Sequence, residues 1–192
     1  MVSKGGQFAF KVSVIGEYAV GKTSLIKRYM TNTFDEGYKA TLGAAISTFN
    51  TTVHSNEVSL QVWDLAGQNP FRKVRHQYLF GSDFAIAVFD LTRPDSLDAL
   101  AEWVADVRSA DPQAICILVG NKSDLVEERE VRQEDARAVA KQLKMTGYME
   151  TSAKDGTNIG ELFQAIATTL VQRTRRRVAG TIAEPLGAKS KG

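Results

Sequence analysis

The length and composition of the chain, 192 residues with 43% hydrophobic and 24% charged residues, are ordinary for one globular domain that buries about 70% of its unfolded surface without disulfides or metal staples. The formal charge of +2 is uneven, because residues 171–192 carry six Lys or Arg and one Glu, which leaves residues 1–170 at −3. The body is therefore mildly acidic and the tail basic, and we expect no nucleic-acid partner. The single cysteine, Cys116, excludes an internal disulfide.

The two ends of the chain show no targeting signal. The first six residues lack the apolar core of a signal peptide, Val2 excludes N-myristoylation of an intact start, and no cysteine stands at the C-terminus for prenylation. The longest apolar runs have the length of strands, so we expect a cytoplasmic protein without a stable lipid anchor. Four arginines lie near the end of the chain: Arg173, Arg175, Arg176 and Arg177. They allow weak electrostatic contact with a membrane, but we favour the interpretation that they belong to the solvated end of a helix.

The first predicted strand leads directly into a phosphate-binding loop. The apolar run 8–15 is followed by Gly16 to Thr23, which fits G-x-x-x-x-G-K-[ST], and then by apolar residues at helical spacing over 24–30. In such a loop the backbone N–H groups and the start of the helix converge on phosphate, while Lys22 meets the β and γ phosphates and Thr23 meets Mg²⁺. A plain glycine turn is the alternative, but the pattern arises by chance in only about 1% of chains this long.

The rest of the chain predicts five further strands. Residues 45–53 and 57–64 are rich in β-branched or alternating residues and flank a turn, which indicates a hairpin. Residues 84–89 and 115–119 are almost continuously apolar, as central strands covered on both faces are. Cys116 lies in the second of these runs, so we expect it to be a small core residue and not a nucleophile. A short strand over 148–151 completes the set.

Two stripes of apolar residues at helical spacing predict the helices that cover this sheet. They extend over 97–107 and 159–170, and we interpret both as core faces. The alternation of strands and helices predicts a doubly wound α/β domain over residues 8–177. Residues 1–7 are expected to be a flexible N-terminus and residues 178–192, rich in Gly, Ala, Pro, Lys and Ser, a disordered tail.

Polar residues follow several of the predicted strands, at the sheet edge where open α/β folds bind ligands. Asp64 is placed for Mg²⁺, and three residues later Gly67 offers an N–H to a γ phosphate. Asp124, in Asn-Lys-Ser-Asp, accepts hydrogen bonds from N1–H and N2 of guanine, whereas adenine would leave this acid unpaired. Asn121 ties its loop to the phosphate loop, and Lys122 lays its aliphatic stem along the base.

A last polar segment, Ser152 to Lys154, follows the short strand, and the Ala153 N–H is placed to donate to guanine O6. Taken alone, this segment is as consistent with residues that lead into a helix as with a nucleotide site. Residues 121–124 alone are as consistent with a polar turn. Their order and their common position after apolar strands favour a nucleotide site.

Five motifs in order make the chain resemble the Ras superfamily of small GTPases, and most closely its Rab-like branch, over residues 8–175. They are Gly16 to Thr23, Tyr38 to Gly43, Leu60 to Gln68, Asn121 to Asp124 and Glu150 to Lys154. The resemblance implies a three-layer P-loop NTPase fold with a six-stranded, mostly parallel sheet, one antiparallel strand at 45–53, and five flanking helices.

The resemblance also implies the residues of the site. GTP or GDP with Mg²⁺ would be bound with Phe34 packed edgewise on guanine, Thr41 on both Mg²⁺ and the γ phosphate, and Gln68 orienting the attacking water. The catalytic set is Gln68, Lys22 and Thr41, and the metal ligands are Thr23, Thr41 and Asp64. The expected nucleotide-binding residues are Glu17, Tyr18, Ala19, Val20, Gly21, Lys22, Thr23, Ser24, Phe34, Thr41, Gly67, Asn121, Lys122, Asp124, Ser152, Ala153 and Lys154.

These residues predict a switch that hydrolyses GTP slowly and changes the loops around 34–43 and 65–80. We expect a monomer whose exchange factor, GTPase activator and effectors bind at residues 34–48 and 63–80. We find no candidate for an arginine supplied in cis, so an activating partner would supply that charge. A GTP-binding module with little hydrolysis is one alternative, and a P-loop kinase or ATPase is another that Asp124 argues against.

Some residues depart from the family pattern. Tyr18 stands where relatives usually have Gly or Ser, and its ring either impedes hydrolysis or turns to solvent without effect. Asn69 and Pro70 are placed to cap and start the second-switch helix, which would stiffen it. An effector surface of three aromatics is replaced by Ile46, Trp63 and Tyr78, and His76 is expected to be a surface residue.

Overall fold

The computed structural model describes residues 6–34, 41, 43–67 and 72–183, without the side chains of 72–74 and 180–183. These residues form six strands and six helical segments. The strands are β1 (Gln7–Ile15), β2 (Ala44–Val53), β3 (Asn56–Leu65), β4 (Phe84–Asp90), β5 (Ile115–Asn121) and β6 (Tyr148–Thr151). The helices are α1 (Lys22–Thr31), α2 (Arg72–Leu79), α3 (Pro94–Asp98), α4 (Leu100–Ala110), α5 (Gln133–Gln142) and α6 (Ile159–Ala183).

The strands form one sheet in the order β2-β3-β1-β4-β5-β6. All neighbouring strands are parallel except β2 and β3, which form the predicted antiparallel hairpin. From β1 the chain goes to the edge strand β2, returns through β3 beside β1, and then continues outward on the other side through β4, β5 and β6. The predicted doubly wound α/β fold is confirmed.

The sheet is covered on both faces, and β4 shows how one strand serves both layers. Phe84, Ile86 and Val88 pack into the core under α1 and α6, whereas Ala85, Ala87 and Phe89 pack into the core under α4 and α5. Successive side chains of a strand point to opposite faces, so a run of buried apolar residues is what such a strand needs. Cys116 lies in the second core as a free, buried thiol, as predicted.

The helical layers differ in detail from the predicted elements. The stripe predicted over 97–107 is divided between α3 and α4, which are separated only by Ala99 with helical dihedral angles of −61° and −21°. The two segments therefore act as one interrupted helix, which leaves five helical bodies in the described residues. The last helix, α6, continues to Ala183, six residues past the predicted domain end at 177, and the rest of the predicted tail lies outside the described residues. None of the described helices has the length and apolarity needed to cross a membrane.

The strand register brings the predicted site segments to one edge of the sheet. Val14 of β1 pairs with Asp64 of β3, and Asn121 of β5 pairs with both Asp90 of β4 and Thr151 of β6. Parallel strands end at the same edge, so the loops that follow β1, β3, β5 and β6 are neighbours. The candidate site is built at this edge.

Candidate nucleotide-binding site

The loop between β1 and α1 is a tight backbone cradle. Gly16 and Gly21 have φ angles of 133° and 96°, and Gly16 lies so close to β4 that a Cβ would stand 2.1 Å from the Val88 carbonyl oxygen. A side chain at either glycine would therefore be strained. Gly21 is the N-cap of α1 and makes no side-chain hydrogen bond, so no capping side chain occupies the first N–H groups of the helix. This arrangement suits an anion.

Lys22 is folded back over this cradle. Its ammonium donates hydrogen bonds to the carbonyl oxygens of Gly16 and Glu17, both at 2.7 Å, and the residue is only 6% exposed. Burial lowers the pKa of Lys22 to about 8, although Asp64 and Glu17 nearby oppose the shift. A buried ammonium whose two described hydrogen bonds go to carbonyl oxygens is well placed to bind phosphate, which is the stronger partner.

A cluster of oxygen atoms lies beside the start of α1. The Thr23 hydroxyl donates to Asp64 Oδ2 at 2.5 Å and lies 2.9 Å from the Thr41 hydroxyl, which itself donates to the same carboxylate oxygen at 3.3 Å. Three chain segments therefore meet at this point. The expected metal ligands Thr23, Thr41 and Asp64 are brought together.

The cluster fits a hard divalent cation. Asp64 is 4% exposed, its Oδ1 is buried and has no hydrogen-bond partner among the described residues, and burial raises the pKa of this carboxyl. A buried carboxylate with one oxygen unpartnered is unfavourable unless a further group binds it. Hydroxyl and carboxylate oxygens are the donors that Mg²⁺ prefers, and the expected set is the one that this geometry supports.

Gly67 closes the cradle from the end of β3. A Cβ at Gly67 would lie 2.4 Å from the Tyr18 nitrogen and 2.5 Å from the Glu17 carbonyl carbon, so only glycine allows this close approach. Tyr18 itself is 43% exposed, and Phe34, after α1, is 37% exposed. Gln68, Asn69 and Pro70 lie outside the described residues, so their expected roles stay predictions.

The side chain of Glu17 makes a contact that the motif did not predict. Its carboxylate accepts a hydrogen bond from Trp103 Nε1 at 3.1 Å, and the Arg75 guanidinium stacks on the Trp103 ring, 3.3 Å from its centroid. Arg75 also pairs with Asp106 at 2.8 Å. The phosphate loop is thereby linked through α4 to α2, the predicted second-switch helix.

Asn121 joins three loops at the other end of the site. Its amide nitrogen donates to the Val20 carbonyl at 2.9 Å, and its Oδ1 accepts from Thr151 at 3.2 Å and from the Ala153 N–H at 3.3 Å. A Cβ at Gly21 would collide with this amide at 2.2 Å. The predicted tie between the loop of Asn121 and the phosphate loop is therefore present. The N–H of Ala153, expected at guanine O6, makes a bond at the long end of the usual range.

The other residues expected at the base are also held by protein groups. Asp124 accepts a hydrogen bond from the Ser152 hydroxyl at 2.6 Å, which leaves its second oxygen for a ligand. Lys122 has a φ of 68°, and its ammonium lies 2.5 Å from Asp90 Oδ2 as an ion pair without hydrogen-bond geometry. Asp90 is fully buried. The Lys154 N–H donates to Ser152 Oγ at 3.2 Å.

Two supporting residues were missed from the sequence. Asp90 ends β4, so the same rule that selected the residues after the other strands would have found it. Arg28 gave no signal, because it stands in the last turn of α1 among residues of ordinary helical spacing. Its guanidinium donates to the carbonyl oxygens of Ala153 and Lys154.

The chain was compared with models of known protein families, and the model of the Ras family matches residues 11–172. This match covers most of the domain and includes every strand-end segment of the site. The chain belongs to the Ras family. As a member of this family, the protein is in general terms a small GTPase. Such a domain binds guanine nucleotide, hydrolyses GTP and interacts with regulator and effector proteins.

The expected effector residues of this Ras-family protein are neighbours. Ile46 is the register partner of Trp63 across the hairpin and is 56% exposed, and the rings of Trp63 and Tyr78 are 6.4 Å apart. His76 is exposed on α2, in agreement with a surface residue.

The arginines of the basic end also contact protein groups. Arg173 donates to the Gln113 carbonyl at 2.7 Å, and Arg175 donates to Asn56 at 3.1 Å. These contacts support the interpretation of this segment as a helix end.

Proposed function

We propose that the protein is a GTP-hydrolysing switch that binds GTP or GDP with Mg²⁺ and hydrolyses GTP slowly. The observation that carries this proposal is the meeting of Thr23, Thr41 and Asp64 within hydrogen-bond distance. Thr41 belongs to the first predicted switch segment, so its presence beside the phosphate loop couples that segment to the ligand. Release of Thr41 after hydrolysis is then the switching event.

The chain's own residues supply most of the chemistry. When bound, Mg²⁺ would be held by Thr23, Thr41 and Asp64 and would neutralise charge on the phosphates. Lys22 exchanges its carbonyl partners for β and γ phosphate oxygens, and the Gly67 N–H donates to the γ phosphate. Gln68 orients the water for in-line attack.

Base selectivity follows from the other end of the site. The carboxylate of Asp124 has one oxygen held by Ser152, and the second accepts from the N1–H and N2 groups of guanine. Adenine has an acceptor at N1, so it would leave this oxygen unpaired. This observation favours GTP over ATP, and hence a switch over a P-loop kinase.

The effector surface is proposed at Ile46, Trp63 and Tyr78, within the wider partner regions 34–48 and 63–80. The Lys11 ammonium lies 4.1 Å from the Trp63 ring centroid, so this surface is partly cationic. Assignment to the Rab-like branch, cytoplasmic location and a monomeric state stay proposals.

The experiment that tests the proposed function starts with the nucleotide released from purified protein. Mass spectrometry should find GDP or GTP, and finding ADP or no nucleotide would contradict the proposal. Single-turnover hydrolysis of bound GTP is then measured for the wild type and for Gln68→Leu. We expect the substitution to slow hydrolysis by about a hundredfold, since the attacking water loses its positioning group.

Tyr18 decides between this switch and a GTP-binding module with little hydrolysis. Its ring is 43% exposed at the cradle, in a position that adjoins the proposed water site. If Tyr18→Gly raises the single-turnover rate more than about tenfold, the ring is a brake on hydrolysis. An unchanged rate would mean that the ring has no effect.

Arg93 is a described arginine that contacts the cradle. It donates to the Tyr18 carbonyl at 3.0 Å and pairs with Asp95 at 2.9 Å. Because these contacts engage its guanidinium, we expect Arg93→Ala to keep the single-turnover rate within about threefold of the wild type. A loss of a hundredfold would identify it as an arginine supplied in cis.

A further inference from the structure

We propose that Arg28 is a positioning residue for guanine recognition. Its guanidinium holds the loop that faces guanine O6 and the segment that leads to Phe34 in one arrangement. This inference rests on the proposed function, since it concerns the affinity and selectivity of the same site.

The guanidinium of Arg28 uses all three of its nitrogens on main-chain carbonyl groups. Nε donates to the Ala153 oxygen at 2.7 Å, Nη1 donates to the Asn32 oxygen at 2.9 Å, and Nη2 donates to the Lys154 oxygen. Ala153 and Lys154 follow β6, more than 120 residues along the chain from α1. Arg28 therefore joins two flanks of the proposed base pocket.

The first flank is the end of α1. Asn32 is the C-cap in a left-handed conformation with φ of 53°, and its N–H donates to the Arg28 carbonyl at 3.0 Å. The main chain and the side chain of Arg28 thus both hold Asn32. Phe34, expected to pack on guanine, follows two residues later, so the direction in which it leaves the helix is set at this cap.

The second flank is the residue expected to recognise O6. Arg28 holds the carbonyl group of Ala153, while the N–H of the same residue makes only a 3.3 Å bond to Asn121. Guanine O6 can replace so long a bond, provided that the peptide is held in place from its carbonyl side. Asp124 is held separately, by the Ser152 hydroxyl. Arg28 should therefore act on O6 recognition and much less on recognition at N1 and N2.

The planar guanidinium is essential to this role. Its donors have a fixed geometry that spans several acceptors at once, whereas a lysine ammonium is a single centre and an alanine has no donor. The predicted order of effect is therefore Arg28→Ala greater than Arg28→Lys. Lys27→Ala is the matched control, because Lys27 is the neighbouring cation on the same helix and is exposed.

The experiment measures dissociation of GDP, 6-thio-GDP and inosine diphosphate from the full chain loaded with Mg²⁺. The thio analogue replaces the oxygen at position 6 with sulfur, which is a weaker hydrogen-bond acceptor, and inosine diphosphate lacks the N2 amino group. We expect Arg28→Ala to release GDP at least about tenfold faster than the wild type, Arg28→Lys to be intermediate, and Lys27→Ala to be within twofold. The ratio of 6-thio-GDP to GDP dissociation rates should fall toward one in Arg28→Ala, while the inosine ratio stays near the wild-type value.

The outcomes separate this inference from the function on which it rests. If wild-type protein does not retain GDP, the proposed function fails. If the wild type retains GDP but Arg28→Ala releases it within twofold of the wild-type rate, the inference is wrong. It is also wrong if both analogue ratios change equally, because that result describes general loosening of the fold. Thermal unfolding of each GDP-loaded variant identifies a folding defect. If Arg28→Ala has such a defect, the ratio of 6-thio-GDP to GDP dissociation rates in Arg28→Lys decides instead. A fall toward one supports the inference, and an unchanged ratio contradicts it.

Discussion

The phosphate end and the guanine end of the site differ in how some of their polar and charged side chains are held. At the guanine end, Asn121 and Asp124 are each held by a polar group of another loop. At the phosphate end, the Lys22 ammonium is bonded to carbonyl groups of its own loop, and Asp64 keeps one buried oxygen without a hydrogen-bond partner in the part of the chain that the structure describes. The guanine end is held by contacts between protein loops, whereas the phosphate end has provisional contacts, meaning contacts within the protein that a bound phosphate or metal would replace.

This difference suits a switch. In the proposed switch, a preformed base pocket, one held by contacts between protein loops, binds without ordering those loops, so both GDP and GTP would gain affinity from it. The exchange of contacts at the phosphate end would make that end respond to the presence of a γ phosphate. Affinity common to both nucleotides and discrimination between them would then lie at separate ends.

The largest expected effect comes from removing the provisional contact of Lys22. We expect Lys22→Met to lower GDP affinity about a thousandfold, because charge-assisted bonds to two phosphates are lost. The free energy of unfolding of the nucleotide-free protein should change by less than about 1 kcal/mol, since the lost bonds are offset by relief from burying the ammonium. Calorimetric titration and urea unfolding measure the two quantities. A large loss of stability would mean that Lys22 is part of the preformed structure.

Asn121 should show the opposite behaviour. It is 1% exposed, and Asn121→Ala leaves several buried partners unsatisfied, so the nucleotide-free protein should lose about 2 to 4 kcal/mol in its free energy of unfolding. Urea unfolding without nucleotide tests this, with the exposed Asn50→Ala on β2 as the control. If the loss does not exceed that of the control, the guanine end is not preformed.

Asp64 tests the metal at the provisional end. In the wild type, removal of Mg²⁺ with a chelator should speed GDP dissociation by about tenfold or more, and in Asp64→Asn by less than about twofold. Without nucleotide, Asp64→Asn should be no less stable than the wild type, because the substitution neutralises a buried carboxylate with an unpartnered oxygen. Equal chelator effects in both proteins would show that Asp64 is not a metal ligand.

The smallest effect concerns a support of the guanine end. Arg129 holds both oxygens of Glu150 at 2.6 and 2.9 Å, which lowers the pKa of that carboxyl. A lowered folded-state pKa contributes stability above the unfolded pKa of about 4.3, and this contribution is lost as the pH falls through the folded value. The free energy of unfolding of Glu150→Gln should therefore be lower than that of the wild type by about 1 kcal/mol at pH 7. This difference between the two proteins should narrow as the pH falls.

Urea unfolding between pH 7 and pH 4 measures this narrowing. Asp135→Asn is the control, because Asp135 pairs with Arg132 on the exposed start of α5. A difference for Glu150→Gln that is constant over the whole pH range would contradict the ionic origin of the effect.

Much of the candidate site follows from motif spacing. Glycines at 16 and 21 were expected from the phosphate-loop pattern, and their positive φ angles show the backbone that the pattern requires. Asn121 and Asp124 were expected because they follow a buried strand, and both lie at the predicted sheet edge. The division of one helical stripe at Ala99 was not expected, because Ala99 itself keeps helical dihedral angles.

Other contacts of the site have no local signal. Trp103 was interpreted as a core residue of a helical stripe, which it is, but its Nε1 also donates to Glu17, 86 residues away. Periodicity reports which face of a helix is buried and does not report which polar atom lies opposite an indole nitrogen. Arg28 is similar, since its acceptors are carbonyl oxygens, which every residue has.

The sequence by itself determined the doubly wound α/β fold and the order of the phosphate, metal and guanine motifs, because strand periodicity and glycine spacing are local properties of the chain. Only the tertiary structure decided how firmly each part is held. Lys122 beside buried Asp90 and Arg28 on the Ala153 carbonyl depend on the packing of α1, β4, β5 and β6 at one sheet edge. Partners brought together across such distances are set by the crossovers of the chain, and their geometry is absent from any local pattern.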